Sequence, residues 1–238
     1  MKEFEGQDLS DADFWGVNLR NSRFRDVDLT GARISHARLI DVSIDAEIDR
    51  LVVNGVDVTD FVNSKDEWFP LRSLLRPSDE AGVRAAWSML SERWNAAITR
   101  AEALGDTKFN ESVGGEWSFA QTLRHLVFVT DKWLFGPLTG APGFSSLGLP
   151  NTGSLEFPWP GLDVNARPST ADVIAAFRER SERVADVLGS VTLARLTREV
   201  EVLENGWVAS LECIHVVFEE EFHHLRYALR DLAVLEAR

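Results

Sequence analysis

The sequence is short of several things, and each shortage excludes something. One cysteine in 238 residues cannot form an intramolecular disulfide, so a disulfide scaffold is excluded and a reducing, cytoplasmic setting is expected. No apolar run approaches the ~18 residues that cross a bilayer. The opening MKEFEGQDLSDADF lacks the basic-then-apolar pattern of a secretory leader, so no membrane partner is expected. Positive charge is scarce: 25 Lys and Arg stand against 38 Asp and Glu, for a net charge of −13. That balance opposes binding to a phosphate backbone, and no nucleic-acid partner is expected. Hydrophobic residues, at 45%, suffice for a sizeable core without cross-links, in one large domain or two unequal ones.

What is present begins with a repeat. Phe4, Leu9, Phe14, Leu19, Phe24, Leu29, Ile34, Leu39 and Ile44 recur every five residues. Most are preceded two positions earlier by a smaller residue, such as Ala12, Val17, Ser22 or Val27. A period of five matches neither a helix nor a strand. It suits a coil that turns a corner every five residues, with the large residue directed inward. The segment resembles the pentapeptide-repeat family, which implies a short right-handed β-helix of little more than two coils. Residues 46–62, with alternating β character and an Asn54-Gly55 turn signal, are expected to cap it. Residues 1–62 hold seven basic and 13 acidic side chains. A stub this short reads as a packing or dimerisation appendage rather than a nucleic-acid mimic.

Residues 63–76 read as a linker, and 77–238 as an antiparallel four-helix bundle, making the whole an α+β multidomain chain. The spacing of Val83, Trp87, Leu90, Trp94 and Ile98 predicts a helix over 79–104. Ser118 and Gln121 open a second over 119–135. A third is predicted over 171–188 and a fourth over 209–236. Between the second and third, residues 136–168 are rich in Gly and Pro without periodicity, and a loop that long is usually functional or mobile.

The fourth helix carries the informative residues. At 100° per residue, Glu220 and His224 fall on an edge of the core stripe among Cys213, Val217 and Ala228. The bland reading of this i, i+4 pair is a helix ion pair worth about 0.3–0.5 kcal/mol. Its weakness is location, because a partly apolar stripe makes an unassisted carboxylate costly. His215, Glu219 and His223 read as surface groups, and Cys213 as a buried inert thiol. Glu221 lies near the core and is a weak candidate for a general base. Tryptophans 87, 94 and 133 read as core, and Trp159 and Trp207 as residues that could line a pocket. His125, in the second helix, completes a His₂-carboxylate set with Glu220 and His224. Such a set leaves coordination positions open for zinc, nickel or iron(II).

Gly115-Glu116-Trp117-Ser118, Thr122-Leu123-Arg124-His125-Leu126, Glu220-Glu221-Phe222-His223-His224 and Arg230-Asp231-Leu232 resemble the DinB/YfiT-like superfamily over residues 75–238. Glu220-x-x-x-His224 matches its mycothiol-dependent maleylpyruvate isomerase branch, where many other members have His-x-x-x-His. The resemblance implies a divalent transition metal, zinc first, on His125, Glu220 and His224. It also implies a low-molecular-weight thiol such as mycothiol or bacillithiol, a small-molecule substrate, and S-transferase or isomerase chemistry. A hydrolase using metal-bound water and a non-catalytic scaffold acting through the repeat are the alternatives. Monomer and homodimer both stay open, though the superfamily often dimerises.

Overall fold

A computed structural model describes residues 3–25, 27–140, 143–151 and 157–238. It divides into two compact units, residues 1–46 and 47–238. The division falls earlier than the 62/63 boundary expected, and residues 47–62 group with the second unit.

In the first unit the five-residue period is a period of turns. A left-handed residue follows two positions after the large apolar one: Gly6, Asp11, Gly16, Asn21, Gly31, His36 and Asp41 all have φ between 55° and 76°. Three alternate corners are closed by a backbone bond, from Ala12 N to Leu9 O, Ser22 N to Leu19 O and Ala32 N to Leu29 O. The side chains of Asp8, Asn18 and Asp28 brace the same corners by accepting from the backbone N–H two residues on. Asn, Asp and Gly tolerate this conformation best, which explains the polar residues between the apolar ones. The β-helix itself is not formed: residues 3–45 contain no strand among the described residues. The nine large apolar side chains are 46–70% exposed. The physical reason is length. A solenoid buries its ladder by stacking coil on coil, and two coils offer each other a single face.

The second unit opens with a hairpin, β1 (Val52–Val53) and β2 (Val56–Asp57), paired antiparallel about the Asn54-Gly55 turn. Two short helices follow, α1 (Thr59–Asn63) and α2 (Phe69–Arg72). Residues 63–76 are therefore not a bare linker, since Leu71 and Leu75 are buried in the main core. The core lies between four long helices. These are α3 (Glu80–Ala103), α5 (Phe119–Thr130), α6 (Thr170–Gly189) and α8 (Ser210–Glu236); the short α4 (Gly105–Phe109) follows α3. Helices α3 and α5 each pack against both α6 and α8. The ends have chemical causes. Asp79 accepts from Gly82 N at the start of α3, and capping boxes open α5 (Ser118 with Gln121) and α6 (Ser169 with Asp172); each satisfies an otherwise orphaned N–H.

Two features depart from the expected helices. Helix α5 runs into a π-helical stretch, Asp131–Thr139, which Pro137 accompanies and Gly140, at φ +69°, ends. Between α6 and α8 lie α7 (Leu193–Leu196) and an antiparallel hairpin, β3 (Glu199–Val202) with β4 (Gly206–Ala209). Val200 and Val202 pack on Cys213, Trp133 and Leu138.

Candidate metal centre

Every residue of α5 except Gln121 is buried, so the helix lies inside the unit, and its polar groups must find partners there. Thr122 and Thr130 donate to carbonyls one turn back. Arg124 Nε donates to Leu147 O at 2.8 Å. His125, 4% exposed, has Nδ1 2.9 Å from Leu149 O. A carbonyl only accepts, so this nitrogen carries the hydrogen, and in the neutral ring Nε2 keeps a free lone pair.

That lone pair faces α8. His125 Nε2 lies 3.4 Å from Glu220 Oε2, and His224 Nε2 lies 3.3 Å from the same oxygen. The three donor atoms lie within 4.8 Å of one another. Trp117 closes one side, with its ring centroid 4.6 Å from that of His125 and stacked on His224 at 5.8 Å. Tyr227 meets His224 edge-on at 6.3 Å. A cleft of about 350 Å³ opens beside His224, lined by Trp117, Thr122, Tyr227, Glu116 and Asp231. Arg230 spans its two acids, reaching Glu116 at 2.5 Å and Asp231 at 2.7 Å.

The donor set fits a metal ion. Atoms each about 2.0–2.2 Å from one tetrahedral cation stand about 3.3–3.6 Å apart, as Glu220 Oε2 does from both imidazoles. A neutral imidazole lone pair facing a carboxylate oxygen is repulsive without a positive charge between. With Nδ1 of His125 donating to Leu149 O, a proton fills the gap to Glu220 only if that ring is imidazolium. A neutral His224 can donate Nε2–H to the same oxygen, and one divalent ion fills both gaps together. Burial works to raise the Glu220 carboxyl, but the His125 and His224 rings outweigh it and hold the group well below the ordinary carboxylate range.

The structure thus brings His125, Glu220 and His224 together and leaves other sequence candidates apart. Glu221 is 1% exposed, and it does not line the cleft. His215 corrects the surface reading: it is buried, with Nε2 2.9 Å from Pro77 O and Nδ1 3.2 Å from Glu212 Oε2. It sat on the flank of the solvated stripe, and the segment before α3 covers that flank. His223 is exposed. Trp159 is buried against Phe128 and Phe144, and Trp207 is 68% exposed on β4; neither lines the cleft. Trp117, which sequence reasoning gave no role, walls the site; its place at the N′ position of α5, two turns before His125, was the available signal.

Comparison with known proteins agrees with this geometry. Residues 8–44 match the model for pentapeptide repeats in eight copies. Neither the curated proteins nor the solved structures gave a match. The model for the DinB superfamily matches residues 89–228, which include all three convergent side chains, and the chain belongs to that superfamily.

Proposed function

We propose that this protein is a cytoplasmic metal-dependent enzyme that transfers or isomerises a small electrophile with a low-molecular-weight thiol, of the mycothiol or bacillithiol type. On this reading the four long helices form an antiparallel bundle, and His125, Glu220 and His224 hold a divalent transition metal, zinc first. The observation that carries the reading is the convergence of two imidazole nitrogens on one carboxylate oxygen beside an open cleft. A divalent ion held there supplies a Lewis acid that lowers the pKa of a bound thiol and keeps it as thiolate, the competent nucleophile.

The chain's own residues do the rest. Leu149 O fixes which nitrogen of His125 faces the site. Trp117 covers both rings, limiting water on that side. The cleft beside His224 gives thiol and electrophile a common entry. Both carboxylates that line the cleft, Glu116 and Asp231, are engaged by Arg230, which assigns them to shaping the entry rather than to taking a proton.

The test is metal content followed by thiol binding. Elemental analysis of the purified chain should give about one transition metal per chain, and His125→Ala should lose it. Metal-loaded protein should then show a thermal shift with low-molecular-weight thiols. Metal retained in His125→Ala would refute the ligand set; no shift with any thiol would leave the metal site standing and refute the thiol chemistry.

A further inference from the structure

The carbonyl that orients His125 belongs to no helix. Leu149 lies in the segment between α5 and α6, and a carbonyl at the end of a loose loop could not hold a ring in place. This one is tied down. Leu149 N donates to Arg124 O at 3.0 Å, and Arg124 Nε donates to Leu147 O at 2.8 Å. Ser145 Oγ accepts from Leu147 N at 3.2 Å, and Gly148 N donates to Ser145 O at 3.1 Å. Ser145 N in turn donates to Asp131 Oδ2 at 2.7 Å. Asp131 is buried and is itself held by Arg180 of α6, whose Nε lies 2.9 Å from Oδ1.

Packing and a second segment hold the same strap. Phe144 stacks on Phe128 of α5 at 5.4 Å and meets Trp159 at 5.0 Å. Phe144 N donates to Pro160 O at 2.8 Å. Gly161, at φ +93°, passes so close that a Cβ there would lie 2.7 Å from Phe144 O. Residues 144–149 are therefore pinned at one end by Asp131 and at the other by the backbone and side chain of Arg124, with the Leu149 carbonyl presented to His125 between helix and strap.

We infer that Asp131 is a positioning residue of the metal centre: by accepting from Ser145 N it seats the 144–149 strap, and the strap fixes the tautomer and tilt of His125. The inference rests on the metal reading proposed above. Asp131 makes two bonds at once, accepting from a backbone N–H through Oδ2 and from a guanidinium through Oδ1, and it stands nearly two helical turns from the ligand it serves. The bond to Ser145 N is the one that seats the strap. Outer partners of metal-bound histidines are typically worth about 10–100-fold in metal affinity.

The test uses the full chain and zinc ion alone. Affinity is read by competition with a chromophoric chelator, and the His125 tautomer by long-range ¹H–¹⁵N correlation on histidine-labelled protein without metal. Asp131→Ala is expected to weaken zinc binding by about 10-fold or more and to lose the single Nδ1–H tautomer of His125. Asp131→Asn keeps an acceptor for Ser145 N and should keep the tautomer, with affinity within about threefold of the parent (a small part of the 10–100-fold outer-partner effect). A general loss of packing would move both variants alike and would not select a tautomer. If Asp131→Ala does not fold, Arg124→Met carries the same expectation, because it removes the other pin while keeping an apolar stem. Unchanged zinc affinity and tautomer in Asp131→Ala, or equal loss in Asp131→Asn, overturns the inference. His125→Ala separates the two levels: if it too binds zinc like the parent, the metal reading has failed; if it alone loses zinc, only the role of Asp131 has.

Discussion

Glu220 and Glu221 are adjacent, yet they live in different media. Glu220 turns toward two imidazoles. Glu221 turns into hydrocarbon, and one of its oxygens has no hydrogen-bond partner among the described residues. Burial, reinforced by the negative charge of Glu220, pushes the Glu221 carboxyl up to about 8; the Trp94 indole pulls the other way without reaching hydrogen-bond geometry. The two neighbours therefore give stability opposite slopes with pH. Near its ordinary value Glu221 ionises in the unfolded chain while the folded chain keeps its proton. The unfolded state then binds fewer protons, and stability falls as pH climbs toward about 8. Glu220, held low, adds stability above the ordinary carboxylate range and loses it as pH falls. Urea denaturation of metal-free protein at pH 5 and pH 8 should show Glu221→Gln losing less stability between the two than the parent, by on the order of 1–3 kcal/mol. Parallel curves would mean that Glu221 is ionised or hydrated in the folded state. Cys213 gives a simpler check. Burial pushes its thiol up to about 11, so a disulfide-exchange reagent at pH 8 should label it only after denaturation.

Among the elements, α5 does the most for the site, and its start is where it can be tested. Ser118 accepts from Gln121 N, and Gln121 Oε1 accepts from Ser118 N at 3.0 Å. Ser118→Ala should cost about 1 kcal/mol in urea denaturation, leaving metal stoichiometry intact, because His125 is held from the strap side as well. A much larger loss, with metal lost too, would mean that the cap alone sets the register of α5. This opening was legible in the sequence, as were the four long helices, because caps and a 3.6-residue period are local signals. The π-helical stretch was not legible: Gly136 and Pro137 read as the end of a helix, and only packing carries the chain through them. The β3–β4 hairpin was missed although Glu199-Val200-Glu201-Val202 alternates strictly, since four residues make a short run beside longer helical patterns. His125, Glu220 and His224 could be found from helical geometry and motif. The strap that orients His125 could not, because its contacts join residues far apart in a segment with no period of its own.

At the scale of the whole molecule, the two units obey different rules. The second has one continuous core and places all three donor atoms within itself. The first repeats a turn every five residues and leaves its apolar ladder half in water, so its sequence period specified the corners without specifying a core. The net charge of −13 is spread over both: residues 1–46 carry six basic and nine acidic side chains, leaving the larger excess on the second unit. Since the division falls after Ala46 and His125, Glu220 and His224 all belong to the second unit, the chain lacking residues 1–46 should retain the helical circular dichroism of residues 47–238. It should also bind zinc with the affinity of the full chain, within about threefold, that is within about 0.7 kcal/mol. Removing so exposed an apolar surface should also raise solubility, since patches of this kind favour association. Chelator competition and sedimentation on the two forms read both effects. Weaker zinc binding in the shortened chain would show that the repeat supports the site energetically. Equal affinity together with a smaller assembly would instead assign the repeat to association and leave the metal centre to the helices alone.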